Sequence, residues 1–78
     1  MQNRFEQIEA ELVTIVYKEF LLKFDGNKSK FAKASSCSET TVRRVFRNEQ
    51  RMTVDLLLRF CSALGIDIIQ LFKEINIE

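Results

Sequence analysis

Between Arg4 and Phe24, apolar side chains return at Phe5, Ile8, Leu12, Ile15, Val16 and Phe20, the spacing of one helix face. Val13, Leu21 and Leu22 widen that stripe, so the helix is expected to be buried on more than one side. Asp25-Gly26 ends it, and Gly26 suits the left-handed position beyond a helix C-terminus. Asn27 is placed to cap a short second helix over about 28–35, with Phe31 and Ala32 facing inward. The serine-rich run 35–38 reads as a turn. Ser38 caps a third helix over about 39–47, although Ser36 with Glu39 also fits a capping box, which leaves the start open. Thr53 caps a fourth helix whose apolar stripe is Val54, Leu57, Leu58, Cys61 and Leu64, and Gly65 stops it. Asp67 opens a last helix carrying Ile68, Leu71, Phe72 and Ile75.

No repeat, low-complexity stretch or linker interrupts the 78 residues, so the chain is expected to be one domain spanning 1–78. Proline is absent and glycine occurs only at Gly26 and Gly65, which favours helices joined by short turns. The fold class these patterns predict is all-α, a five-helix orthogonal bundle.

The third helix has the most uneven distribution of side chains. At about 100° per residue, Val42, Val45 and Phe46 share one sector, while Thr40, Arg43, Arg44 and Arg47 share the side opposite. Overall charge is only +1, but its distribution is uneven. Residues 28–51 carry Lys28, Lys30, Lys33, Arg43, Arg44, Arg47 and Arg51 against Glu39 and Glu49, whereas both flanking segments are net acidic. A basic middle on one helical face suits a polyanion better than the total suggests.

Other chemistries are thinly represented. Histidine is absent, and Cys37 and Cys61 fall at apolar positions, where they read as small buried hydrophobes. No nucleophile–base pair, metal set or phosphate loop is present, so neither enzyme activity, cofactor, metal nor small-molecule ligand is expected. No signal-like segment or membrane-length apolar run occurs, which points to the cytoplasm; Asn27-Lys28-Ser29 is then a chance glycosylation sequon.

From Asn27 to Phe72 the sequence resembles the lambda-repressor/Cro-like (XRE-type) helix-turn-helix family. Phe31-Ala32 stands where that family has a Leu-Ala pair on its first motif helix. Cys37 follows the turn, Ser38 caps the second motif helix, and Val42 and Val45 are its paired β-branched core residues. Leu57-Leu58, Ala63-Leu64-Gly65-Ile66 and Leu71-Phe72 echo the downstream pattern. The chain departs from the family at Ser36 and Asn48, where glycine is usual, at Lys28 for glutamine and at Phe46 for glutamate. A positive φ at Ser36 would cost a serine something; Asn48 tolerates the left-handed conformation better.

The resemblance implies a lambda-repressor-like domain with a central motif at about 28–47. It implies sequence-specific binding of double-stranded DNA in transcription control, repressor-like, commonly by a homodimer. Base reading carries over to Glu39, Thr40, Arg43, Arg44 and Arg47, and phosphate binding to Lys28, Ser38 and Thr41. Glu39 either accepts from a cytosine amino group or serves only the positive helix N-terminus. The motif core is Phe31, Ala32, Cys37, Val42, Val45 and Phe46, with Phe60 and Phe72 also inward and Tyr17 open between core and surface. Lys30, Lys33 and Arg51 read as solvated or as peripheral phosphate contacts. The rival class is an interaction module, an adaptor or antitoxin-like subunit, which the low net charge keeps open. Val13, Leu21, Leu22, Ile69, Ile75 and Ile77 are left over by the core stripes. They form either a homodimer surface through the terminal helices or the closure of a small core.

Overall fold

A computed structural model describes residues 4–75, which form α1 (Arg4–Phe24), α2 (Lys28–Ala34), α3 (Glu39–Phe46), α4 (Val54–Leu64) and α5 (Ile68–Lys73). The described residues are all-α, as the periodicity predicts. Each predicted cap is made by a side-chain oxygen. Asn27 Oδ1 accepts from the Lys30 amide at 3.0 Å, Ser38 Oγ from Thr41 at 3.1 Å, Thr53 Oγ1 from Leu56 at 3.2 Å and Asp67 Oδ1 from Ile69 at 2.9 Å. Such caps contribute about 1 kcal/mol each and fix where a short helix begins. They also decide the start of α3 in favour of Ser38 over the capping box at Ser36.

Helix ends are set by left-handed residues. Ser36 (φ 56°), Asn48 (φ 60°) and Gly65 (φ 70°) each follow a helix and turn its last amides back onto it. Cys37 donates to Ala32 O at 3.0 Å, Glu49 to Arg44 O at 2.8 Å and Ile66 to Cys61 O at 2.9 Å, the long-range bond of the Schellman motif in all three cases. For Ser36 this conformation costs about 1 kcal/mol that glycine would not incur. At the end of α1 the left-handed run begins one residue earlier than expected. Asp25 (φ 51°) and Gly26 (φ 77°) are both positive, and Asn27 donates to Phe24 O at 2.9 Å. That is the pattern of a type I′ turn, which Asp-Gly favours.

The core is organised around aromatic rings. Phe20, Phe31 and Phe60 are fully buried, with Phe31 centred 5.1 Å from each of the other two. Half-buried Phe46 lies 5.1 Å from Phe20, and Tyr17 closes the cluster edge-on at 5.0 Å from Phe46. Tyr17 is therefore both packed and partly exposed. Phe46, the departure from the family's glutamate, fills space between α1 and α3 that a carboxylate could not enter without losing its water. Leu12, Val16, Ala32, Val42, Val45, Met52, Leu56, Leu57, Cys61, Leu64, Leu71 and Ile75 are the other buried core residues.

Several expectations from the pattern need correction. Phe5 is 76% exposed and Leu22 75%, with Leu21 also exposed, so of the residues expected to widen the α1 stripe only Val13 packs against the core. A 21-residue helix is about 31 Å long, close to the 34 Å of the longest molecular axis. Its first turn therefore extends past the shorter helices that would cover it. In α4 the buried face is Leu56, Leu57, Phe60, Cys61 and Leu64, while Val54 and Leu58 are 70% and 50% exposed. This helix is apolar on two adjacent stripes, and contact with α1 selects between them. Helices α2 and α3 each end one residue early, leaving Ser35 and Arg47 as C-caps, because the left-handed residues that follow begin the turn there. Ile75 lies beyond α5, buried, its amide donating to Phe72 O at 3.4 Å. Cys37 is half-buried, whereas Cys61 is buried as expected.

Candidate nucleic-acid interface

Helices α2 and α3 make the most extensive pairing in the fold. Ala32 and Ser35 on the α2 side are buried, and small side chains of this kind let helices approach closely. Ser35 Oγ has no hydrogen-bond partner among the described residues.

Val42 and Val45 turn wholly inward, at 0% and 1% exposure, and that registration dictates what the rest of α3 presents. Glu39, Thr40, Arg44 and Arg47 are exposed, and Arg43 on the flank of the helix is half-buried. No carboxylate pairs with Arg43, Arg44 or Arg47 among the described residues, so all three guanidinium groups keep their donors for an external acceptor. Arg47 stands at the C-cap with its amide bonded to Arg43 O at 3.1 Å, which continues the helical row by one position.

Ser38 and Thr41 are joined at the start of α3. Beyond the cap bond, their hydroxyls lie 2.9 Å apart. One of them donates to the other, so one hydroxyl hydrogen remains for an outside acceptor. Lys28 is the first residue of α2, half-buried, and also without an ion pair among the described residues. Glu39 occupies the first turn of α3, where a carboxylate complements the positive helix end.

Two supporting groups were not legible from the periodicity. Glu9 on α1 accepts from Arg51 Nη2 at 2.9 Å through one oxygen and from the Met52 amide at 3.0 Å through the other. It thereby pins the loop that follows α3, and Arg51 is ion-paired rather than simply solvated. Arg59 on α4 donates from Nε to Asp55 Oδ2 at 2.8 Å and from Nη1 to the Ser36 carbonyl at 2.9 Å. The i,i+4 spacing of Asp55 and Arg59 was visible in the sequence; the reach to a turn 23 residues away was not.

Both thiols are held protonated. Burial pushes the Cys37 thiol above its ordinary range, opposed by the nearby Arg59 charge, and burial alone raises Cys61. No helix among the described residues is long and apolar enough to cross a membrane.

A buried two-helix unit with a tight left-handed turn and a cationic outer face is the form of a DNA-binding helix-turn-helix. Residues 18–75 match the Cro/C1-type helix-turn-helix DNA-binding domain, and the chain belongs to that family. DNA binding is accordingly its activity, and transcription regulation the typical role of its family. No individual curated protein and no solved structure matches at a significant level. Residues 4–17 of α1, among them Glu9, lie outside the matched segment.

Proposed function

We propose that the protein is a sequence-specific, repressor-like regulator that lays α3 in the DNA major groove. The observation that carries this reading is the unpaired row of Arg43, Arg44 and Arg47 beside Thr40, opposite the buried Val42 and Val45. Arginine bonds O6 and N7 of guanine with two parallel donors, a pattern only the major groove presents. Thr40 donates to a base or meets a thymine methyl. Lys28 and the Ser38–Thr41 hydroxyl pair hold phosphates and set the register of the helix. Glu39 belongs to the helix end unless a cytosine amino group lies opposite it.

Arg44→Ala separates base reading from phosphate binding. On a duplex chosen by selection from random sequences, it should cost about 1–3 kcal/mol, roughly five- to 150-fold in affinity, and blur preference at one base pair. Lys28→Ala should weaken all duplexes alike and lower the salt slope by about one. If both variants lose affinity with no change in preferred sequence, Arg44 is a phosphate contact and the groove assignment fails.

One motif reads only a few base pairs, so the proposal includes a symmetric homodimer on half-sites about 34 Å apart. Its surface is smaller than the chain pattern suggests. Ile75 is buried and Val13 packs on the core, which leaves Leu21, Leu22 and Ile69 exposed; Ile77 lies outside the described residues. Sedimentation equilibrium at micromolar concentration should give a dimer on a palindromic site, and a monomer there would leave a single-site binder. The cytoplasm, where Cys37 and Cys61 stay reduced, is the compartment this function requires.

A further inference from the structure

Ser36 holds a conformation that glycine favours, in the turn that sets α3 against α2, and its carbonyl is not left to solvent. On the amide side the turn is closed by its own helix, Ser36 donating to Lys33 O at 3.2 Å and Cys37 to Ala32 O at 3.0 Å. On the carbonyl side the partner is Arg59, from a different helix. Asp55 holds Nε of the same guanidinium, so the planar fork is already oriented when Nη1 reaches Ser36 O.

We infer that Arg59 is a positioning residue for DNA recognition, holding the left-handed turn at Ser36 and through it the angle at which α3 is presented. The physical link is the peptide plane between Ser36 and Cys37. If Ser36 leaves the left-handed region, that plane rotates and its carbonyl swings off Nη1, so the bond exists only with the turn in its native form. A charge-assisted bond of this kind is stronger than a neutral one and offsets the strain of a Cβ at that position. Arg59 thus does from α4 what a glycine would do within the turn. The inference rests on the reading that α3 recognises bases.

Arg59→Ala and Ser36→Gly, made singly and together, test it with two readouts. The first is amide exchange of Ser36 and Cys37 in the DNA-free protein, which reports local opening of the turn. The second is affinity for a selected duplex relative to a random duplex of equal length. Arg59→Ala should speed exchange at those two amides about tenfold, with α1 and α4 unchanged, as expected for loss of one charge-assisted bond. Selected-duplex affinity should fall about tenfold and random-duplex affinity by less than about twofold. Adding Ser36→Gly should restore both, because glycine holds the turn without the brace.

Equal loss on both duplexes would make Arg59 a phosphate contact and overturn the inference. Unchanged exchange in the turn, faster exchange throughout the molecule, or no restoration by glycine would overturn it too. If Arg59→Ala does not fold, Arg59→Lys takes its place, since an ammonium lacks the fork that holds Asp55 and Ser36 together. A lysine variant equal to the parent in both readouts counts against the proposal, and one shifted as the alanine variant should be supports it. Parent protein that does not prefer any duplex removes the groove reading, while the exchange measurement still decides the role of Arg59 in the turn.

Discussion

Raising salt from about 50 to 200 mM is expected to weaken binding to duplex DNA on the order of a thousandfold. Each phosphate neutralised by a lysine or arginine releases counterions, so the logarithm of affinity falls with the logarithm of salt in proportion to the number of contacts. Around the motif, Lys28, Lys30 and Lys33 have no carboxylate partner among the described residues and are open to phosphates on each protomer of the proposed dimer, beside the base-reading arginines. Arg51 and Arg59 are different, being paired with Glu9 and Asp55. Lys33→Ala should therefore flatten the salt slope more than Arg51→Ala does. Fluorescence anisotropy with a labelled duplex across a salt series checks both expectations. A flat response would contradict the basic face as a phosphate-binding surface and return the chain to the interaction-module class, despite its family.

Phe31→Ala is expected to destabilise the domain by about 3–5 kcal/mol. A chain of this length has a total stability of roughly 4–12 kcal/mol, so one such loss is a large share of the whole. Phe31 is fully buried and its ring meets those of Phe20, Phe24 and Phe60 within 5.2 Å, from two helices other than its own. Removing it empties the point where α1, α2 and α4 converge and leaves Phe46 without its stacked neighbour. Phe5→Ala is the internal control. Phe5 falls on the same helical period as the buried residues of α1 yet lies exposed, so its loss should change stability by less than about 0.5 kcal/mol. Urea unfolding followed by circular dichroism measures both. Similar losses for the two variants would mean that the first turn of α1 is covered and that the core is larger than described.

The contrast between Phe31 and Phe5 is a useful measure of how far pattern alone carries. Both are phenylalanines at helical spacing, and hydrophobicity cannot separate them. What separates them is whether another element lies over that turn of helix, a property of the whole bundle. The same holds for Leu57 and Leu58, adjacent leucines of which one is buried and the other half-exposed.

Local chemistry determined a great deal by itself. Asn27, Ser38, Thr53 and Asp67 begin their helices because a short side-chain oxygen reaches an amide two or three residues on, a contact that needs no tertiary partner. The ends at Asn48 and Gly65 are equally local, and so is the opposition of Val42 and Val45 to Thr40, Arg44 and Arg47, which follows from helical geometry once α3 exists. The candidate DNA face was legible for that reason. Tertiary structure decided which of two stripes α4 buries, how much of α1 is left uncovered, and that Ile75 closes the core instead of extending α5. It also brought Glu9 to the loop after α3 and Arg59 to the turn before it, across 43 and 23 residues of chain to Met52 and Ser36. A charged side chain looks alike in sequence whether it faces water or a carbonyl in another helix, because the partner is supplied only when the helices pack.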